Sequence, residues 1–165
     1  MELNYYRRLR ELREDHDYSQ ADIGKRLGMS KQQYFLYEKG YRDIPTPVLI
    51  ALADLYGTSV DYLVGRTDNP SPLDKLSIEL NSWIGRRKMT SNYYRRLYDL
   101  RIDHDLTQKD VSTYLGMSQP QYYRYERGYR DIPTHVLIAL AKLYDTSVDY
   151  ILGLTDDPQP HREHP

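Results

Sequence analysis

The sequence predicts an all-α protein built from two tandem five-helix bundles joined by a partly helical linker. Residues 4–70 align with residues 92–158 without a gap, and 45 of the 67 aligned positions are identical. Within each copy, apolar residues recur at helical spacing between capping residues and glycines, and no stretch alternates as a strand would. We therefore expect a first domain at 1–70 and a second at 92–158, with a linker at 71–91 and a disordered tail at 159–165.

The composition excludes several classes of protein. The 165 residues include no cysteine, which rules out disulfide scaffolds, thiolate metal sites and cysteine nucleophiles. No apolar run approaches the ~18 residues of a membrane span, and the start has no signal-peptide core, so a soluble, cytoplasmic protein is expected. The formal net charge of −1 argues against a purely electrostatic nucleic-acid binder. Because no nucleophile–base pair or phosphate loop is visible, we expect no enzymatic activity, no cofactor and no metal.

The first two helices of the first copy are predicted from apolar spacing and capping residues. Apolar positions spaced by four and three residues predict a helix over residues 5–16. Ser19 is a good N-cap for the second helix, and Asp22 occupies the capping-box position three residues later. Gly28 follows this helix, where a left-handed residue commonly ends a helix.

Three more helices complete the first copy, and each begins at a predicted N-cap. These caps are Ser30, Thr46 and Ser59. The third helix is expected over residues 31–39, and Gly40 closes it. Pro47 would occupy the first position of the fourth helix, where proline is best tolerated. Gly65 ends the short fifth helix.

The linker combines an apolar stripe with a basic end. The stripe has near-helical spacing and consists of Leu73, Leu76, Leu80, Trp83 and Ile84. Gly85 ends it, and Arg86-Arg87-Lys88 follows. We expect either a helix that fixes one domain relative to the other or a dimer contact; a half-ordered spacer is the alternative.

The second and third predicted helices have the spacing of a helix-turn-helix. A tight turn at Gly28-Met29-Ser30 joins them. In that geometry the first turn and the outer face of the second helix can enter the ~12 Å wide major groove of DNA. Tyr34 and Tyr37 should then face the core. The polar and long side chains left for the outer face are Lys31, Gln32, Phe35 and Lys39, with Gln33 nearby.

Three runs in each copy resemble one known family. In the first copy they are Ser19-Gln20-Ala21-Asp22-Ile23-Gly24-Lys25-Arg26-Leu27-Gly28-Met29-Ser30, then Tyr34 with Tyr37-Glu38-Lys39-Gly40, and the run from Leu49 to Leu63. Together they resemble the phage-repressor (lambda-repressor-like, Xre-type) helix-turn-helix family, and the resemblance covers nearly all of each repeat. It implies two tandem DNA-binding domains of a bacterial or phage transcriptional regulator.

The resemblance, taken with the helical spacing, implies a set of DNA-contacting residues in each copy. In the first copy they are Ser19, Gln20, Lys31, Gln32, Gln33, Leu36, Lys39 and Arg42. In the second they are Thr107, Gln108, Gln119, Gln121, Tyr123, Arg124, Arg127 and Arg130. Arg124 can pair bidentately with guanine, whereas Leu36 can make only apolar contact, for instance with a thymine methyl. If both copies bind DNA, they should read different half-sites.

The family also pairs an arginine of the first helix with a glutamate near the end of the third. That pair maps to Arg13 and Glu38 in the first copy, and to Arg101 and Glu126 in the second. We expect these ion pairs to be structural, and removing either partner should cost a few kcal/mol.

Two repeated motifs have competing interpretations. Asp15-His16-Asp17 and its copy could bind a metal, but a helix end, where the dipole favours histidine, is the simpler interpretation. The paired tyrosines at 5–6 and 93–94 could stack on nucleic acid or line an interface, but one core ring and one surface ring per pair is the simpler interpretation.

Three functions follow in order of preference. The first is a sequence-specific, double-stranded DNA-binding transcriptional regulator that acts as an intramolecular pseudo-dimer. The second is an antitoxin-like protein-interaction module, in which the repeats pair with another copy or a partner protein. The third is single-stranded nucleic-acid binding through stacked tyrosines.

Overall fold

The computed structural model describes residues 6–70 and 94–159, which belong to two compact units. The helices of the first unit are α1 Arg7–Asp15, α2 Gln20–Arg26, α3 Lys31–Glu38, α4 Thr46–Tyr56 and α5 Val60–Leu63. Those of the second unit are α6 Arg95–Asp103, α7 Gln108–Tyr114, α8 Gln119–Glu126, α9 Thr134–Leu143 and α10 Val148–Ile151. Within the described ranges all regular structure is helical, which confirms the predicted all-α fold.

Some predictions fall elsewhere in the chain. The linker helix, the first tyrosine of each tyrosine pair and nearly all of the C-terminal tail lie outside the described residues. Among the helices that are described, none is long and apolar enough to cross a membrane.

The second helix of each unit begins with a complete capping box. The Ser19 hydroxyl accepts the backbone N–H of Asp22 at 3.1 Å, and the Asp22 carboxylate accepts the backbone N–H of Ser19 at 2.8 Å. Thr107 and Asp110 form the same box in the second unit. Hydrogen bonds from the hydroxyl and backbone N–H of Ser19 hold the pKa of Asp22 below its usual range. The predicted start of α2 is therefore confirmed.

The predicted cap of the fourth helix is wrong by one residue. Helix α4 begins at Thr46, and Pro45 is its N-cap, with no side-chain capping hydrogen bond. Pro47 lies in the first turn, as the second residue of the helix. The physical reason is the backbone hydrogen bonding, because the Pro45 carbonyl already accepts the N–H of Leu49 at 3.1 Å, so Thr46 is the first residue of the helix.

Tyrosines fill much of the core of both units. Tyr6 and Tyr34 in the first unit and Tyr122 in the second are among the largest fully buried side chains. The Tyr6 hydroxyl donates to Oδ1 of Asp43 at 2.7 Å and accepts the backbone N–H of Ile44 at 3.1 Å. A core ring with a hydrogen-bonded hydroxyl thus joins the start of α1 to the loop after α3.

An arginine near the start of the first helix of each unit holds the end of that unit. The guanidinium of Arg8 stacks over the ring of Tyr62, 4.4 Å from its centroid, and donates to the carbonyl of Tyr62 at 2.9 Å. It also bonds the Thr67 carbonyl and the Asp68 carboxylate. Arg96 repeats the stacking and the carbonyl contact on Tyr150. Both units are therefore closed by the same arginine clamp.

Candidate nucleic-acid interface

The turn between α2 and α3 is tight and depends on two glycines. Gly28 has φ of +67°, in the left-handed region, and the backbone N–H of Met29 donates to the Gly24 carbonyl at 2.8 Å. A Cβ added at Gly24 would lie 2.8 Å from the Met29 carbonyl oxygen, so the turn packs directly against α2. In the second unit the equivalent position is Ser112, which is buried and bonds the Lys109 carbonyl.

The second helix of each helix-turn-helix, α3 or α8, is the expected recognition helix. The burial of two tyrosines determines which of its faces points outward. On α3, Tyr34 and Tyr37 are buried, and on α8 Tyr122 and Tyr125 are buried, as predicted. The side chains on the remaining faces are exposed or half-buried. On α3 these are Lys31, Gln32, Gln33, Phe35 and Leu36, and on α8 they are Gln119, Gln121, Tyr123 and Arg124.

A buried charge network locks α1, α2 and α3 of the first unit together. The Arg13 guanidinium donates to the two carboxylate oxygens of Glu38 at 2.7 and 3.1 Å, and to the Tyr18 carbonyl at 2.9 Å. The Gln20 amide donates to the same carboxylate at 3.0 Å. Burial favours the protonated form of Glu38, but the hydrogen bonds from Arg13 and Gln20 outweigh it and hold its pKa below the usual range.

The second unit repeats the network with Arg101, Glu126 and Gln108. The Arg101 Nε lies 2.6 Å from Oε1 of Glu126, and the Gln108 amide bonds the other carboxylate oxygen. Burial opposes the charge of Arg101, but the hydrogen bond to Glu126 prevails and raises its pKa. Gln20 and Gln108 each use one amide hydrogen for a hydrogen bond within the protein. The other amide hydrogen of each can still donate a hydrogen bond to a ligand, and the amide oxygen can accept one.

Positive charge is concentrated on the helix-turn-helix of each unit. Residues 19–42 hold five basic and two acidic side chains, net +3, whereas the other described residues of the first unit hold five basic and eight acidic, net −3. Residues 107–130 are net +2, and the rest of the described second unit is net −4. The near-zero charge of the whole chain therefore conceals an uneven distribution of charge along each unit.

Exposed aromatic pairs flank the outward faces, and sequence reasoning identified them only in part. The rings of Phe35 and Tyr41 meet edge to face at 6.3 Å, and those of Tyr123 and Tyr129 do so at 6.0 Å. Tyr41 is 59% exposed and Tyr129 is 66% exposed. Tyr123 belongs to the predicted DNA-contacting residues and is exposed, whereas Tyr41 and Tyr129 are not among the predicted residues. The signal was the repeated Gly-Tyr-Arg-Asp run after each recognition helix, which places a tyrosine in an exposed loop.

The loop after each recognition helix is held by that helix. The backbone N–H groups of Tyr41 and Arg42 both donate to the Leu36 carbonyl, at 2.9 and 3.2 Å. Those of Tyr129 and Arg130 donate to the Arg124 carbonyl in the same way. The loop arginines are exposed at the C-terminal end of the recognition helix, in both units.

The predicted site residues divide by their contacts within each unit. Those that already bond other side chains are Ser19, Gln20, Gln33, Thr107, Gln108 and Gln121. The remaining charged and polar ones at the exposed surface are Lys31, Gln32, Arg42, Gln119, Arg124, Arg127 and Arg130, and Lys39 is half-buried. The first group is pre-positioned, and the second can adapt to a partner.

The histidine motifs are helix ends in the structure. His16 follows α1 and its Nδ1 lies 2.8 Å from the Leu12 carbonyl oxygen, while its ring lies beside Tyr56. The next residue, Asp17, has a positive φ of 54° that turns the chain. In the described parts of the chain, no group of three or more histidines and carboxylates is arranged to hold a metal ion.

Comparison with known proteins identifies the repeated unit. The helix-turn-helix family model matches the chain twice, over residues 9–63 and residues 97–151. No solved structure matches at a significant level.

Three similar proteins come from Bacillus subtilis (strain 168). YobD, an uncharacterized HTH-type transcriptional regulator, is 46% identical over 71 residues, which are 43% of this chain and 63% of YobD. The HTH-type transcriptional regulator AnsR is 38% identical over 76 residues, 46% of this chain and 65% of AnsR. The HTH-type transcriptional regulator ImmR is 36% identical over 62 residues, 38% of this chain and 49% of ImmR. The chain thus matches about half to two thirds of each relative's length.

Proposed function

Because this chain belongs to the helix-turn-helix family, we propose that it is a sequence-specific regulator of transcription that binds double-stranded DNA with both units, as an intramolecular pseudo-dimer. One observation carries the proposal. In each unit the net positive charge lies on the helix-turn-helix segment, while the rest of the unit is net negative. A DNA phosphate backbone would attract that segment and repel the rest of the unit.

The outward faces of α3 and α8 are the proposed readers of base sequence. In the first unit, Lys31 and Gln32 can bond base edges, and Leu36 offers an apolar contact to a thymine methyl. In the second unit, Gln119, Gln121 and Arg124 take these roles, and Arg124 can pair with guanine. Since the two faces differ, the proposed operator is asymmetric.

The remaining proposed contacts position the protein on the DNA backbone. The basic residues after each recognition helix would bind phosphates, and these are Lys39, Arg42, Arg127 and Arg130. Gln20 and Gln108 would add a hydrogen bond each at the start of α2 and α7, next to the capping residues Ser19 and Thr107. Tyr123 would contact the backbone from the face of α8.

Joining the units in one chain would replace dimerisation. Recognition helices of paired domains meet successive major grooves ~34 Å apart. The 21 residues of the linker could extend to roughly 70 Å. Tethering would raise the effective concentration of the second unit to about millimolar. The proposal needs no cofactor and no catalytic group, and it places the protein in the cytoplasm with the nucleoid.

Selection of bound sequences from a random duplex library tests this proposal. Wild type should select two unlike half-sites at one fixed spacing. The matched variants Leu36→Arg and Arg124→Leu exchange the residues at one recognition position. Each should change the preference in one half-site and leave the other intact. Selection of a palindrome by a stable homodimer, with one unit off the DNA, would contradict the pseudo-dimer.

The second candidate is a protein-interaction, antitoxin-like module. The exposed rings of Tyr41 and Tyr129 and the overall charge of −1 favour it. Binding to random duplex DNA at several salt concentrations separates the two functions. A DNA-binding regulator should show a negative slope of log affinity against log salt. A chain that shows no salt-dependent DNA binding and instead pairs with itself or a partner protein would be the interaction module.

A further inference from the structure

One face of the second unit is apolar where the first unit is charged. Tyr98 and Ile102 lie one turn apart on α6, and each is 48% exposed. Tyr114, at the end of α7, is 54% exposed. We call these three residues the α6–α7 apolar face. Large apolar side chains grouped on one surface commonly mark a place where another segment binds.

The first unit shows that the fold itself does not need this face. At the positions equivalent to Tyr98 and Ile102 it has Arg10 and Glu14, which form an exposed ion pair at 2.7 Å. At the position of Tyr114 it has Arg26, whose guanidinium stacks on the Tyr18 ring at 4.5 Å. Three charged side chains have thus been replaced by three exposed apolar ones in one copy only. The first unit forms the same helices without these apolar side chains, so the fold does not require them.

The two sides of the face are connected through Arg101. The ring of Tyr98 lies over the Arg101 guanidinium, at 5.2 Å, and that guanidinium donates to the Leu106 carbonyl at 2.9 Å. Leu106 stands where the first unit has Tyr18, the ring on which Arg26 stacks. Because the two units share one fold, the stacking of Arg26 on Tyr18 in the first unit places Tyr114 near Leu106 by analogy, and we infer that the face extends from α6 toward Tyr114.

On the α6 side of the face, the charges are mostly acidic, whereas α7 carries one residue of each sign, Lys109 and Asp110. Asp99, Asp103 and Asp105 lie on or just after α6, and Arg95 is the basic residue at its start. The other two arginines of α6 are engaged, Arg96 with Asp156 and Arg101 with Glu126. The binding partner that fits is an apolar stripe with a basic end.

The chain itself contains such a segment, directly before the second unit. Its apolar residues are Leu73, Leu76, Leu80, Trp83 and Ile84, and Arg86-Arg87-Lys88 follows them. We propose that residues 73–88 dock within the same chain on the α6–α7 apolar face, with the basic triplet beside the aspartates of α6. No equivalent face exists on α1, so the segment has one docking site rather than two.

The connection is long enough for this arrangement. Seven peptide units separate Lys88 from Arg95 and can span roughly 23 Å. Helix α6 has nine residues and is therefore about 14 Å long. The segment can therefore turn back along α6, and its tethering favours it over any separate molecule.

Trp83 is the single tryptophan of the protein and reports directly on this docking. In the full-length chain, Trp83 fluorescence should be at shorter wavelength, and less quenched by the neutral quencher acrylamide, than in urea-unfolded protein. The double variant Tyr98→Arg/Ile102→Glu installs the residues of the first unit, so it should fold. It should shift Trp83 emission to longer wavelength and raise acrylamide quenching toward the unfolded value.

Two further variants serve as controls. Exchanging the charges on α1, with Arg10→Glu/Glu14→Arg, should leave Trp83 unchanged. Reversing the charge of the segment itself, with Arg86→Glu/Arg87→Glu/Lys88→Glu, should increase quenching most at low salt, while the helicity of the protein serves as the check that it still folds.

Three results would overturn the proposal. The first is a wild-type Trp83 that is as accessible as in the unfolded chain. The second is protection that survives Tyr98→Arg/Ile102→Glu in a variant with unchanged helicity. The third is protection that appears only as protein concentration rises, since a second copy would then cover the face.

Discussion

Arg13 on α1 and Glu38 at the end of α3 are 25 residues apart in the sequence, yet Nε of Arg13 lies 2.7 Å from Oε2 of Glu38. The Glu38 side chain is 2% exposed, and Gln20 of α2 completes its hydrogen bonding. One carboxylate therefore fixes the relative positions of all three helices that build the proposed DNA-binding surface.

Replacing Glu38 by glutamine should strongly destabilise the first unit. The change removes the buried carboxylate from the Arg13 guanidinium and leaves only the exposed Glu14, at 3.4 Å, as counter-ion, and breaking a buried pair in this way costs about 3–5 kcal/mol. Urea unfolding followed by circular dichroism measures the loss. Arg10→Ala is the matched control, because the Arg10–Glu14 pair has the same 2.7 Å separation on the exposed surface. A loss as large at Arg10 as at Glu38 would contradict the role given to burial.

The contribution of Glu38 should depend on pH in one direction. In the folded state the pKa of Glu38 lies below its ordinary value of 4.5. Its stabilising effect is therefore complete above the unfolded-state pKa and disappears as pH falls through the lower, folded-state pKa. The difference in urea midpoint between wild type and Glu38→Gln should therefore be constant near neutral pH and shrink below about 4.5. A midpoint difference that grows as pH falls would contradict the lowered pKa of Glu38.

Two tyrosines of the core should respond unequally to loss of the hydroxyl. The buried hydroxyl of Tyr34 makes no hydrogen bond of normal geometry and interacts only weakly with Tyr56 and Glu38, and burial raises its pKa. Tyr34→Phe should therefore cost less than Tyr6→Phe. Tyr6→Phe removes the bonds to Asp43 and Ile44 and should cost about 1–3 kcal/mol. Thermal unfolding of the two variants makes the comparison, and equal losses would refute it.

The turn of the helix-turn-helix should tolerate a side chain in one unit and resist it in the other. Gly24→Ser places a Cβ against the backbone oxygen of Met29, so we expect a loss of about 1–3 kcal/mol and weaker DNA binding by the first unit. The reciprocal change, Ser112→Gly, should cost about 0.5–1 kcal/mol through backbone entropy. Urea unfolding measures both changes. Equal effects would mean that the close approach at Gly24 is not a constraint.

The loop arginines should affect DNA affinity and not sequence preference. Arg42→Gln and Arg130→Gln each remove one proposed phosphate contact, so each should reduce the salt slope of binding by about one and weaken all sequences alike. Titration of a labelled duplex at several salt concentrations measures this. A change in preferred sequence with an unchanged salt slope would instead assign Arg42 or Arg130 to base reading.

The local sequence was sufficient for most element boundaries. Ser19 with Asp22 and Gly28 with its positive φ act over three or four residues, so their effects are visible without knowledge of the fold. Thr46 was the exception, because a threonine between two prolines also looks like an N-cap. The hydrogen bond from the Leu49 N–H to the Pro45 carbonyl starts the helix one residue earlier.

By itself, the sequence determined the duplication, the all-helical fold, the helix-turn-helix and the divergence of the two recognition helices. The duplication is visible by comparing the chain with itself, and the other properties follow from periodicity and capping, which act over a few residues. The tertiary structure alone decided that Gln20 is held by Glu38, and that the rings of Tyr41 and Tyr129 pack against those of Phe35 and Tyr123. These relationships depend on which distant segments pack together, since burial and electrostatic contact are properties of neighbours in space.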